Sequence, residues 1–197
     1  MSTRFDPTNS NFGEIIMNKF TTTIAIITLA LTSTNSYADD DLGGGENFEI
    51  NQGLSGAWFD PNTNGQGYYF DVLPTSKRII FGWFTYDTLP APQGATSTIG
   101  NPNSRWMSVD GEYVGNVFHG EVYTASGGTF DDEVALDVEK VGEVSITFSN
   151  CGQGRFSYSL NNGTLVNEFD IVKLSGESVP LCQRLLDEMN EEDGDGE

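Results

Sequence analysis

Eight short runs rich in Val, Ile, Phe, Tyr, Trp and Thr, set apart by clusters of Gly, Asn, Pro and Asp, constrain this chain to an antiparallel β architecture. The clearest is GEVSITFSN, which alternates Val144, Ile146 and Phe148 on one face with Ser145, Thr147 and Ser149 on the other. Arg155 to Leu160 repeats the pattern with Phe156 and Tyr158. The other runs are Leu54–Phe59, Gln66–Leu73, Arg78–Asp87, Arg105–Val109, Val117–Thr124 and Leu165–Leu174. Arg78–Asp87 is apolar on both faces, so both are covered or one meets a ligand, partner or lipid. Most linkers are short turns. A loop from Thr88 to Ser104 is the long exception, and Asp131–Val141 fits neither the strand nor the helix period.

About eight antiparallel strands joined in this way predict an all-β fold, an up-and-down barrel or a strongly curved meander, with a two-sheet sandwich as the alternative. After Pro180, Leu181, Leu185, Leu186 and Met189 recur at helical spacing. They predict a short C-terminal helix with Pro in its first turn and Ser178 as a cap. The acidic residues behind it oppose the helix dipole and should end it early.

The amino-terminal end carries an address. From Met17, MNKFTTTIAIITLALTSTNSYA has a basic start at Lys19, an apolar core over Ile24–Leu31 and small residues at Ser36 and Ala38. A membrane span needs ~20 apolar residues, so this reads as a cleaved export signal over 17–38. Residues 1–16 read as an over-extended start. The exported part then holds a leader over 39–52, acidic and Gly-rich, a single β-domain over 53–189 and a disordered acidic tail over 190–197. The expected location is the periplasm or the outside of the cell, with no stable membrane insertion once the signal is gone.

Nine Lys and Arg against 29 Asp and Glu give a formal net charge of −20. Residues 1–38 carry two of each sign, so the exported part keeps that balance. Phosphate binding needs clustered cations, which argues against nucleic acid. The same charge suits solubility and weak gathering of cations. The two cysteines, Cys151 and Cys182, read as a disulfide in an oxidising compartment, with two free thiols as the alternative. The loop it closes is about 30 residues, worth roughly 3 to 4 kcal/mol in the chain-entropy model.

Catalytic signals are weak. His119 is the only histidine, it sits in a predicted strand, and no nucleophile motif accompanies it, so neither a triad nor a zinc site is expected. Asp60, Asn62, Asn64, Gly65 and Asp71 match the spacing of a calcium loop, but the flanks are strands and Asn-Gly is a hairpin turn signal, so this is a weak metal candidate. Carboxylates such as Asp60, Asp71 and Asp87 leave a hydrolase open as an alternative. No cofactor is implied. The remaining candidates are strand aromatics, Tyr69, Trp83, Tyr86 and Trp106, which pair a flat apolar body with a polar tip and suit a ligand or a glycan.

From Gly56 to Cys182 the pieces GAWFDPNTNGQGYYFDV, FGWFTYDT, RWMSVDGEYVGN and VGEVSITFSNCGQGRFSY resemble a family of exported proteobacterial β-domains. The pattern is GxW[FY]xPxxxGxG, then WFTYD, then FxxCxxG. The resemblance implies a compact exported β-domain and brings no activity or catalytic residue with it. The expected function is therefore a non-enzymatic exported domain that binds a ligand, a glycan or an envelope partner, with a structural envelope module as a further alternative.

Overall fold

A computed structural model describes residues 48–194. The expected export signal over 17–38, the expected over-extended start over 1–16, most of the expected leader and residues 195–197 lie outside the described residues. Eight antiparallel strands follow one another around a closed barrel, β1 Gly56–Phe59, β2 Gly67–Leu73, β3 Arg78–Tyr86, β4 Ser104–Val114, β5 Val117–Ser126, β6 Asp137–Asn150, β7 Gln153–Leu160 and β8 Leu165–Lys173. Each strand pairs with its neighbour in sequence, and β8 returns to β1. That last seam is short, registering Trp58 with Lys173 and Phe59 with Val172. The sandwich alternative is set aside by this closure.

The interior is filled, not hollow, along most of its length. Alternate residues of every strand point in, and the inward set is aromatic: Trp58, Tyr68, Phe70, Phe81, Phe118, Phe148 and Phe156 are all buried. Phe156 stacks on Tyr68 at 4.6 Å between ring centroids and meets Trp83 edge-on at 5.3 Å. Rings this large fit because β4 and β5 place Gly111 opposite Gly120 on the inner wall. A Cβ on Gly120 would run into the Phe118 ring, and one on Gly111 into the His119 carbonyl. The outer wall is charged. Arg78 pairs with Asp110 and Glu112, Lys140 with Glu121 and Glu143, and Arg155 with Glu168 and Asp170. Exposed pairs of this kind each contribute ~0–1 kcal/mol. An apolar inside and a charged outside invert the pattern of a lipid-embedded barrel.

One end of the barrel is plugged. The segment before β1 crosses it, burying Phe48, Ile50 and Leu54 and donating from the Ile50 amide to the Gly115 carbonyl at 3.0 Å. The helix α1, Val179–Gly194, lies against the same end through Leu186. The disulfide between Cys151, just after β6, and Cys182, in the first turn of α1, ties the helix to the β6–β7 turn, with Cα atoms 5.8 Å apart. Asn51 donates to the Cys182 carbonyl at 3.2 Å and completes the plug.

The structure revises four expectations. The leader stops short of residue 52, because Phe48 and Ile50 supply apolar surface that the plug buries. Asp131–Val141 divides into a loop and the start of β6, which begins at Asp137. Its period was illegible because Val122 pairs with Gly142 but Tyr123 pairs with Lys140, leaving Val141 as a bulge that flips the alternation. The cap before α1 is Ser175, not Ser178: its hydroxyl accepts from the Glu177 amide at 3.3 Å within a 3-10 turn that leads into the helix. The helix also continues to Gly194, past the expected start of a tail at 190.

Lys173 closes the seam. Its ammonium donates to the carbonyls of Gly53, Leu54 and Ser55 at 3.0–3.1 Å and lies 5.0 Å from the centroid of the Trp58 ring. Burial brings its pKa down to about 8. An unfolded lysine sits near ~10.4. Between those values the unfolded chain holds the extra proton, so stability rises with pH across that window. Urea melts of the wild type and Lys173→Met at about pH 7.5 and about pH 10 check this. The difference should move toward the wild type at the higher pH; a pH-independent difference rejects the assignment.

Candidate functional site

The topology places the β1–β2 turn, the β3–β4 loop, the β5–β6 loop and the β7–β8 turn at the end opposite the plug. There the barrel opens into a hollow of about 280 Å³. Its floor and apolar walls are Trp83, Met107, Val141, Tyr158, Leu160 and Leu165. Thr85, Asp87, Arg105, Thr124 and Asn161 supply the polar part of the lining. Trp83 and Tyr158 pack on each other with ring centroids 5.3 Å apart and planes inclined at 56°.

Asp87 and Arg105 make the ion pair at this mouth, with the guanidinium Nη2 donating to the carboxylate at 2.8 Å. Arg105 also donates through Nη1 to the carbonyls of Pro102 and Ser104, which ties it to the end of the long loop. The Leu89 amide, and then Arg105, hold the Asp87 carboxyl below the usual carboxylate range, so it is charged at neutral pH. Behind the floor, burial and then the nearby Asp60 charge push the Tyr68 hydroxyl well up, so it stays neutral.

The four aromatic candidates divide. Trp83 lies at the floor, only 5% exposed, whereas Tyr86 and Trp106 border the hollow at its rim from outward-facing positions of β3 and β4. Tyr69 also stands on the outer wall, farther from the hollow, 60% exposed and edge-on to Phe84 at 5.8 Å. Phe84 in turn registers with Trp106, so β2, β3 and β4 carry an exposed aromatic patch beside the mouth.

The calcium-like set does not assemble. Asp60 turns into its own loop, accepting from the Asn62 amide at 2.8 Å, the Asn62 side chain at 3.1 Å and the Thr63 hydroxyl at 3.2 Å. The hairpin reading explains the rest: Gly65 has φ +74°, and a Cβ there would strike the Tyr86 hydroxyl. Asn64 is an exposed turn residue, and Asp71 lies down β2 opposite Ile80. Among the described residues no group of three or more His, Cys, Asp or Glu is placed to hold a metal ion. The hydrolase carboxylates are equally scattered, with Asp60 under a turn, Asp71 on the outer wall and Asp87 at the mouth. His119 stands on the outer wall opposite Glu112. It borders an open groove of about 440 Å³ in which Arg78 pairs with both Asp110 and Glu112.

Sequence reasoning missed Arg105, Met107, Val141, Tyr158 and Leu165 as lining residues. They come from β4, β6, β7 and β8, and only barrel closure brings them together. Among the described residues no helix is long and apolar enough to cross a membrane, and the disulfide suits an oxidising compartment. Comparison with family models, with curated proteins and with solved structures finds no match for this chain.

Proposed function

We propose that this is an exported, non-enzymatic β-barrel that holds a small ligand in its open mouth. The observation that carries this reading is the hollow of about 280 Å³ between a packed aromatic core and the loop-bearing end. Ligand pockets run from ~300 to ~1,000 Å³ and combine apolar walls with a few placed polar groups. This one falls just below that range and has both. A barrel of eight strands has room for side chains or one small ligand, and here the two share the interior. The export signal and disulfide favour the periplasm or the outside of the cell. The reading also takes the chain as one of the exported proteobacterial β-domains whose glycine and aromatic pattern it resembles.

The test is an NMR titration of the folded protein with a chemically mixed panel of small molecules, following the Trp83 indole N–H. A binding molecule should shift Trp83 and leave Trp58, deep in the core, unmoved. Thr124→Phe fills the hollow and should weaken binding by at least about tenfold, because a packed site offers the ligand no volume. It should leave the melting temperature unchanged or higher. A panel that leaves Trp83 unmoved overturns the reading, as does a Thr124→Phe protein that binds as well as the wild type.

The exposed patch of Tyr69 and Phe84 favours a second reading, contact with a glycan or an envelope partner through the outer wall. Tyr69→Ser with Phe84→Ser would abolish that contact and leave the mouth titration as it was.

A further inference from the structure

The seam between β8 and β1 closes only the plugged half of the wall. β1 runs for four residues and β8 for nine. Their register, Phe59 with Val172, would next set Pro61 against Asp170. Proline has no amide to give, and Asp60 has already turned the chain by accepting from the Asn62 amide. The turn then leans toward β3, with Gly65 against the Tyr86 hydroxyl and Gln66 bonded to Thr85. Leu165–Ile171 is thus paired with β7 on one side and with no strand on the other. The Leu174 amide bonds the Ala57 carbonyl, and the Lys173 amide turns the other way to the Gly152 carbonyl, both at 2.9 Å. That alternation continues along the strand, so Asp170, Glu168 and Val166 turn their amides and carbonyls to the β1 side. Among the described residues the Glu168 amide finds only the Asn167 side-chain oxygen, at 2.9 Å, and the other groups of this edge find no partner.

We propose that this edge, the mouth half of β8, is a strand-addition site for an extended segment of a partner protein in which basic and apolar residues alternate. It stands whether or not the mouth holds a small ligand. An open edge is a template for another strand, and Leu165–Ile171 offers on the order of 20 Å of it, a full strand's length. Proteins blunt such edges with proline, lysine or a bulge. This stretch has no proline and no lysine, pairs with β7 without a shift of register and exposes Val166. The charges beside it choose the occupant. Glu168 and Asp170 stand on the outer side and share the Arg155 guanidinium, at 2.6 and 2.8 Å, which leaves one negative charge over. A basic residue of the incoming strand faces them there. On the inner side an apolar residue meets Phe169 and Leu165, which are half-buried against the core. A second copy is the wrong partner. Two β8 edges side by side set carboxylate against carboxylate, and each chain carries a net charge of −20. The chain's own residues 39–47, DDDLGGGEN, meet the same repulsion.

The probe is a soluble peptide of alternating lysine and valine, TKVKVKVKT, titrated into the whole protein and followed by amide NMR and hydrogen exchange. Before it is added, the Val166 and Asp170 amides should exchange far faster than those of Phe169 and Ile171, which face β7. The peptide should shift Val166, Glu168 and Asp170 and slow their exchange. Its acidic counterpart, TEVEVEVET, should bind at least about tenfold more weakly. The lysine peptide methylated on every central backbone nitrogen keeps its charge, loses its donors and should not bind. Val166→Pro removes an amide that the barrel does not use, on an edge where proline is tolerated, and should weaken the peptide by about tenfold. Glu168→Gln with Asp170→Asn leaves the backbone as it is and should weaken the lysine peptide several-fold. Slow exchange of Val166 and Asp170 in the protein alone means the edge is already covered and overturns the proposal. Undiminished binding of the methylated peptide overturns strand addition in favour of charge alone. A dimer in sedimentation that protects the same amides makes a second copy the occupant and overturns the choice of partner. A lysine peptide that leaves the edge amides unmoved overturns it outright. The Trp83 titration with mixed small molecules tests the mouth separately from all of these.

Discussion

Phe156→Ala will lower the stability of this domain by about 3 to 5 kcal/mol, the range for removing a large aromatic from a close-packed interior. Phe156 is fully buried, and its ring is shared by Tyr68 at 4.6 Å, Trp83 at 5.3 Å and Phe169 at 5.5 Å. These neighbours come from β2, β3 and β8, so the void left by the ring opens at the centre of the barrel, where no single strand can collapse to fill it. A natural domain has about 5 to 15 kcal/mol in hand, so this one change removes a large share of it. Because Trp83 and Tyr158 both lean on Phe156, the floor of the mouth should loosen too, and binding should weaken along with stability. The control is Phe84→Ala, on the outer wall, which should change stability by no more than about 0.5 kcal/mol. Urea melts of the two variants decide the matter. A loss below about 1 kcal/mol at Phe156 would mean that the interior is not close-packed there.

The second large effect is at the plug. Replacing Cys151 and Cys182 together with Ser should lower stability by roughly 3 to 4 kcal/mol, from the loop closed by a sequence separation of 31 residues. Both cysteines are fully buried, and Gly53 lies so close that a Cβ there would run into Cys182. The bond therefore does more than restrain the unfolded chain: it ties α1 to the turn after β6 and so holds the helix against Gly53 in the segment before β1. Without it, α1 keeps chiefly Leu186, Val179 and Met189 as apolar anchors. Amide exchange should then quicken in α1 and around Ile50 well before it does in β3, β4 and β5, which are paired on both sides away from the short β8–β1 seam. An unchanged midpoint in the double Ser variant would remove the disulfide from the account of stability.

The sheet was legible because its signals are local. Alternation in β6 and β7, the Asn-Gly turn after Asp60 and the Gly-rich turns are each written within a few residues. Cys151 and Cys182 were legible because only two cysteines exist and the run from Met17 reads as an export signal, which implies oxidising surroundings. What was not legible depends on closure. Phe48 and Ile50 follow an acidic Gly-rich stretch and read as leader, yet the open end of a barrel needs a cover and they supply it. The bulge at Val141 hid the start of β6, since one extra residue inverts the period. The mouth was half legible. Of the aromatics Tyr69, Trp83, Tyr86 and Trp106, only Trp83 faces inward; the other three alternate to the outer wall, which the run of aromatic letters does not reveal. Arg105 looked like the ordinary start of a strand until its register with Thr85 and its ion pair with Asp87 placed it at the rim.

The segment bearing Phe48 and the helix α1 both meet the barrel at its sealed end. A tag, a fusion partner or a sensor chip joined through either would hold the molecule by its base, like a cup by its foot. The rim would point toward the surrounding liquid, and whatever enters it would arrive without first passing the point of attachment.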